Sequence, residues 1–201
     1  PYQGPLDEWS AGRIDERELL RETEYEDRWG FDFDFYRPLL DLGKEHGTPL
    51  FAINAAKETT RAIAHGGLQA LDPLQLSELP ELEMNDREHF RLIESSISKN
   101  ATMAPAAMRN YYAAQVVWDE TMAFHVARIV NGRGAPDCLV VLAGHLRIQG
   151  GHGIPLRAAR RGARPWQSVL PVDPDSDLAR WSGPASERPA DFLWIIPPPP
   201  P

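Results

Sequence analysis

The chain has 201 residues, with 21 Lys and Arg against 29 Asp and Glu for a formal net charge of -8, and 42% of its residues are hydrophobic. That balance excludes wholesale disorder and argues against a nucleic-acid partner, which needs a clustered positive field to neutralise phosphates. No apolar run approaches the roughly 20 residues that span a bilayer, and the single cysteine, Cys138, excludes an intramolecular disulfide and an all-cysteine metal site.

The opening Pro1-Tyr2-Gln3-Gly4 is not a basic and apolar leader and reads as the continuation of a domain, so a first strand or leader is expected to precede it. Residues 15–29 are dense in charge with Leu19, Leu20 and Tyr25 at helical offsets, which predicts a surface helix ended by Gly30. Asp34 is the expected N-cap of a second helix, with Pro38 in the first turn and Phe35, Leu39 and Leu42 forming an apolar stripe. The apolar run 49–54 predicts a strand buried on both faces of a parallel sheet, and a helix from 56 to 65 ends at Gly66-Gly67. Asp86 is expected to cap a helix running to Ser98, with Phe90, Ile93 and Ile97 on its inner face.

Pro105 sits where a first-turn proline belongs, and the stretch to Val130 is apolar over most of its circumference, which predicts a long helix packed from several sides. Residues 138–143 predict a second buried strand, followed by a glycine-rich loop to Pro155. Two later runs, 166–172 and 191–196, add candidate strands. The alternation gives an α/β fold of mostly parallel buried strands flanked by helices, with a domain over 1–172 and a Pro-rich extension over 173–201. Pro197 to Pro201 form a stiff polyproline run, a spacer or a ligand for an aromatic groove.

Ligands of open α/β sheets bind beyond the carboxyl ends of the strands, which singles out the loop from Gly144 to Pro155 with His145, Arg147 and His152. From His145 to Pro165 there are five arginines, Arg147, Arg157, Arg160, Arg161 and Arg164, and no acid. They either favour an anionic ligand or form a solvated helix face. The two histidines match no zinc spacing. On the long helix, Gln115 and Asp119 sit among apolar residues and need partners, either loop amides or a ligand cavity. A tyrosine phenolate can bind ferric iron, and Tyr36, Tyr111 and Tyr112 are the candidates, against ordinary core packing. There is no GxSxG elbow and no GxGxxG loop, which leaves a serine hydrolase and a dinucleotide site unsupported.

Trp29, Tyr36-Arg37-Pro38, Asn54-Ala55-Ala56-Lys57-Glu58, Tyr112 to Gln115, Trp118-Asp119-Glu120-Thr121-Met122-Ala123 and Gly144-His145 through His152-Gly153-Ile154-Pro155 together resemble the ChaN-like haem-binding lipoprotein family, related to the Tiki and erythromycin-esterase-like group. The resemblance covers about residues 3 to 165. It implies an α/β fold, haem held between two subunits with a tyrosine axial ligand, His or Lys contacts to propionates, and a lipid-anchored or periplasmic place at the cell envelope. Carried onto this chain, the iron ligand is Tyr112, or Tyr111 next, and His145, His152, Arg147 and Lys57 contact the cofactor. Family members open with a strand bearing Gly-Glu and a histidine, so that strand is expected before Pro1, and Lys57 stands where the family carries Arg. The leading function is non-enzymatic haem binding for iron uptake or haem handling by a homodimer. A metal-dependent hydrolase using His145 or His152, and an interaction module using the polyproline run, are the alternatives.

Overall fold

A computed structural model describes residues 2–97, 103–177, 182–183 and 188–197. The chain divides into two compact units, 1–57 and 58–201.

In the first unit, α1 (Gln3–Ser10), α2 (Glu16–Glu22), α3 (Tyr25–Arg28) and α4 (Arg37–Glu45) surround buried Trp9, Leu19 and Phe33. The Asp15 carboxylate caps α2 by accepting from the Glu18 amide at 2.8 Å. The single helix predicted over 15–29 is broken before Tyr25, where Glu24 takes a left-handed φ of 50°. Asp34 does not cap α4. It lies in a short turn of 3₁₀ helix over Phe33–Phe35, started by the Asp32 carboxylate accepting from the Asp34 amide at 2.9 Å. Phe35 is therefore out of phase with α4, and Phe35, Leu39 and Leu42 are all exposed.

The second unit takes all but the first residue of α5 (Lys57–Gly66), and there α5, α6 (Pro73–Glu78) and α7 (Arg87–Ser96) precede the 26-residue α8 (Pro105–Val130). α9 (Ile154–Arg160) lies against α8, and β1 (Val169–Val172) pairs in parallel with β2 (Phe192–Ile195), Val169 opposite Phe192 and Val172 opposite Ile195. The bounds predicted for the long helix hold, and so does the reason. One stretch of α8 buries Ala113, Ala114 and Val117 with Ile63 and Leu71, and another buries Met108, Tyr112 and Val116 with Ile93. At about 1.5–3 kcal/mol per fully buried large apolar side chain, these clusters are the main favourable term of the unit. Asp86 caps α7 as predicted, accepting from the His89 amide at 2.9 Å.

The class is α/β, with a small sheet built from the two late runs. The runs at 49–54 and 138–143 form no strand. In the first, the Gln3 side chain substitutes for a neighbouring strand, donating to the Leu50 carbonyl and accepting from the Ala52 amide, each at 2.8 Å. In the second, Val140 is 76% and Leu142 64% exposed. Among the described residues no hydrogen bond reaches the backbone of 139–143. Composition marks both as sheet interior, but a strand is made by its neighbour's hydrogen bonds, and neither run has one.

Candidate functional site

Asp119 and Glu120 are consecutive residues of α8, and both are fully buried. Glu120 is gripped by Arg157, by Arg160 at 2.7 Å and by Arg161 at 2.5 Å, and it accepts from the Glu83 amide at 3.0 Å. Burial works against its charge, but these donors outweigh burial and hold the carboxyl below the usual glutamate range. Asp119 accepts from Arg147 Nη1 at 2.7 Å and faces His89 Nε2 at 3.0 Å without hydrogen-bond alignment. Arg157 Nη2 lies 2.9 Å from His89 Nδ1. A guanidinium only donates, so His89 Nδ1 accepts and the ring proton sits on Nε2, toward Asp119.

Four of the five arginines counted in the basic stretch thus neutralise the two carboxylates of α8, and the fifth, Arg164, donates to the Ala159 carbonyl at 3.0 Å. Their charge is structural. Gly153 makes the approach possible, because a Cβ there would overlap the Arg147 carbonyl.

Beside this network Asp86 is a junction. Its Oδ1 caps α7, its Oδ2 lies 2.9 Å from His152 Nδ1, and its carbonyl accepts from the Tyr112 hydroxyl at 3.1 Å. Burial opposes the Asp86 charge, yet the His89 amide and His152 keep the carboxyl below its ordinary value. Burial pushes the Tyr112 phenol up to about 12, with Arg157 opposing. Asp86 lies on the wall of a cleft of about 680 Å³, lined also by Met84, Asn85, Phe90 and Tyr112 and by Arg87, Arg91 and Arg109, of which Arg91 pairs with Glu88. That volume falls within the roughly 300–1,000 Å³ of cofactor sites.

Of the residues singled out from sequence, Tyr112 and His152 meet at Asp86. Tyr111 is half-buried against the Ile93 and Met108 cluster. Arg147 is held by Asp119 and lies 4.3 Å from the centre of the Trp118 ring. His145 is exposed on a 3₁₀ turn, and its ring makes no bond among the described residues. Lys57 belongs to the first unit, where its Nζ donates to the Asp27 carbonyl at 2.6 Å. Sequence reasoning missed Arg87, Arg91 and Arg109. Their signal was the four-residue spacing of Arg87 and Arg91 on a capped helix, diluted by Glu88 and Glu94. Among the described residues no three His, Cys, Asp or Glu side chains gather as a metal site, and no helix is long and apolar enough to cross a membrane.

The family model for haem-binding uptake proteins of the Tiki superfamily, ChaN, matches residues 1–158. The chain belongs to the ChaN family. Its haem-binding, uptake-type domain fills most of the chain, and haem is the cofactor that the family indicates. The RETICULATA-RELATED 5 protein of Arabidopsis thaliana, described as chloroplastic, is 28% identical over 204 residues, covering 96% of this chain and 27% of its own length. The chain therefore spans about a quarter of that curated relative. No solved structure matches it significantly. The lining of the cleft is compatible with that cofactor: apolar Met84 and Phe90 suit a macrocycle, arginines suit propionates, and the Tyr112 phenol stands at the wall, while His152 meets Asp86 but is not among the lining residues.

Proposed function

We propose that this ChaN domain holds haem in the cleft beside α7 and α8 and serves haem or iron acquisition. The observation that carries the reading is the lining of that cleft, where Tyr112 and Asp86 stand beside Met84 and Phe90 and the arginines Arg87, Arg91 and Arg109. Arg87, Arg91 and Arg109 would hold the propionates by charge-assisted hydrogen bonds, Arg91 in exchange for its pair with Glu88, and Met84 and Phe90 would give the ring its apolar contacts. Bound haem supplies a Lewis-acidic, redox-active iron. The cleft opens to solvent, so a second copy of the chain is the expected cover, which makes the loaded form a homodimer. Titration of the chain with ferric haem, with size-exclusion chromatography of the same samples, tests both parts. A saturable Soret shift with a doubled mass is expected. Free-haem spectra at all ratios overturn the reading.

Tyr112 as a phenolate iron ligand is the second reading, favoured by its place in the cleft lining and by the nearby Arg157, which lowers the cost of ionisation. Residence at a cell envelope belongs to the same proposal, the plant relative's chloroplast being the alternative compartment, and fractionation tests it. Pro198 to Pro201 lie outside the described residues, and the proposal gives that run no part in haem binding.

A further inference from the structure

We propose that residues 138–143 are a docking edge for a second copy of this chain, the two copies pairing through it as an antiparallel, two-fold-related ribbon that needs no haem. Every side chain from Cys138 to Ala143 is apolar. Exposure alternates along the run as it does along a strand: Leu139, Val141 and Ala143 are half-buried, while Val140 and Leu142 stand out into solvent. Gly144 continues the run with an extended φ of -59° and ψ of 147°. Among the described residues no hydrogen bond reaches the backbone of 139–143, so its amides and carbonyls are free to pair with an added strand.

The charges at the two ends of the run decide the occupant. Asp137 and His145 are both exposed, and neither side chain has a bonding partner among the described residues. Opposed residues of an antiparallel pair share a face, so a two-fold axis normal to the ribbon passes through a single residue position. With the axis at Val141, Val140 lies opposite Leu142 of the second copy, and Asp137 lies opposite its His145. The two exposed apolar side chains then cover each other, and a carboxylate meets an imidazole at both ends of the ribbon. With the axis at Val140, Asp137 falls opposite Ala143 and that complementarity is lost. A parallel, in-register pair sets Asp137 against Asp137, which repels. The segment is therefore complementary to itself in shape and charge in the antiparallel register centred on Val141.

The test is sedimentation velocity of the haem-free full chain over a concentration series, where a monomer–dimer equilibrium is expected. Leu142→Lys changes an exposed position, so the circular dichroism melt should be unaltered. Because the two-fold repeats each pair, the variant is expected to weaken association about 10-fold. Asp137→His and His145→Asp are each expected to weaken the dimer, and the double variant, which exchanges the two groups, to restore it. Disulfide capture in a Cys138→Ser background checks the register. Val141→Cys stands opposite itself and is expected to give an oxidised dimer on a non-reducing gel. The two copies of Leu142→Cys lie two positions apart along the ribbon, beyond the roughly 7 Å that a disulfide can bridge, and are expected to stay unlinked. A chain that is monomeric at every concentration, or that assembles beyond the dimer, overturns the inference. So does association that Leu142→Lys leaves unchanged, or equal linking in the two cysteine variants. Every sample is free of haem, so these outcomes are separate from those of the haem titration.

Discussion

Arg147 Nη1 donates to Asp119 Oδ1 at 2.7 Å across 28 residues of sequence, joining the 3₁₀ turn before α9 to the middle of α8. The carboxylate is buried and the guanidinium nearly so. Removing one member of such a pair leaves an uncompensated charge, at a cost of about 3–5 kcal/mol. Arg147→Ala is expected near the lower end, because His89 still faces the carboxylate, with urea unfolding as the measurement. A change below about 0.5 kcal/mol would show that the turn is held by other contacts.

Glu120 gives a graded series. Arg157 is buried with it, whereas the Arg160 side chain is about a third exposed. Arg157→Ala is expected to cost about 3–5 kcal/mol, and Arg160→Ala at most about 1 kcal/mol, as for exposed pairs. Equal losses in the two variants would contradict a cost set by burial.

The pH dependence follows from folded-state carboxyls held low. Glu120 and Asp86 each have a folded pKa below the unfolded value, near 4.5 and 3.8 respectively. The unfolded chain therefore binds their protons first, and their stabilisation is full above about pH 5 and lost as pH falls through the lowered folded values. His125 is shifted down by burial and by Arg128. Its contribution is full above its ordinary value of 6.5 and declines as pH falls from there toward the lowered folded value. Unfolding curves at a series of pH values should show a shallow loss below neutrality and a steeper one below about pH 4.5. Replacement of His125 by Asn should remove the first and spare the second.

Gly153→Ala forces the added methyl against the Arg147 carbonyl. The turn must move, and a cost of about 1–3 kcal/mol is expected, as for overpacking. Circular dichroism melts check it. At Gly150, alanine in a left-handed conformation costs about 1 kcal/mol, and its methyl would stand 3.0 Å from His152 Cδ2, so Gly150→Ala should lower the melting temperature as well.

Where local rules decide the structure, the sequence was legible. Pro105 opens α8 and Asp86 caps α7, because first-turn prolines and side-chain caps act within three residues. The break between α2 and α3 was not legible, since no glycine or proline marks Glu24. Apolar runs at 49–54 and 138–143 read as strands because composition reports burial propensity and not the presence of a pairing neighbour. The weaker run at 191–196 does find a partner in β1. At the site, Tyr112 and His152 were both named, but their junction was hidden, because His152 and Asp86 are 66 residues apart. The basic stretch misled for the same reason: its acids lie on another helix, 28 to 41 residues away.

Adjacent side chains on a helix diverge by about 100°, so Asp119 and Glu120 hold the segment from Arg147 to Arg161 along two directions at once. The donors overlap as well, for Arg157 touches both Glu120 and His89, the residue that faces Asp119. With Arg160, these seven side chains therefore form one heritable unit. Any single charge change passes through a destabilised intermediate, while paired losses need not, so drift among relatives at these positions should proceed by correlated exchanges and leave the flanking surface free to vary.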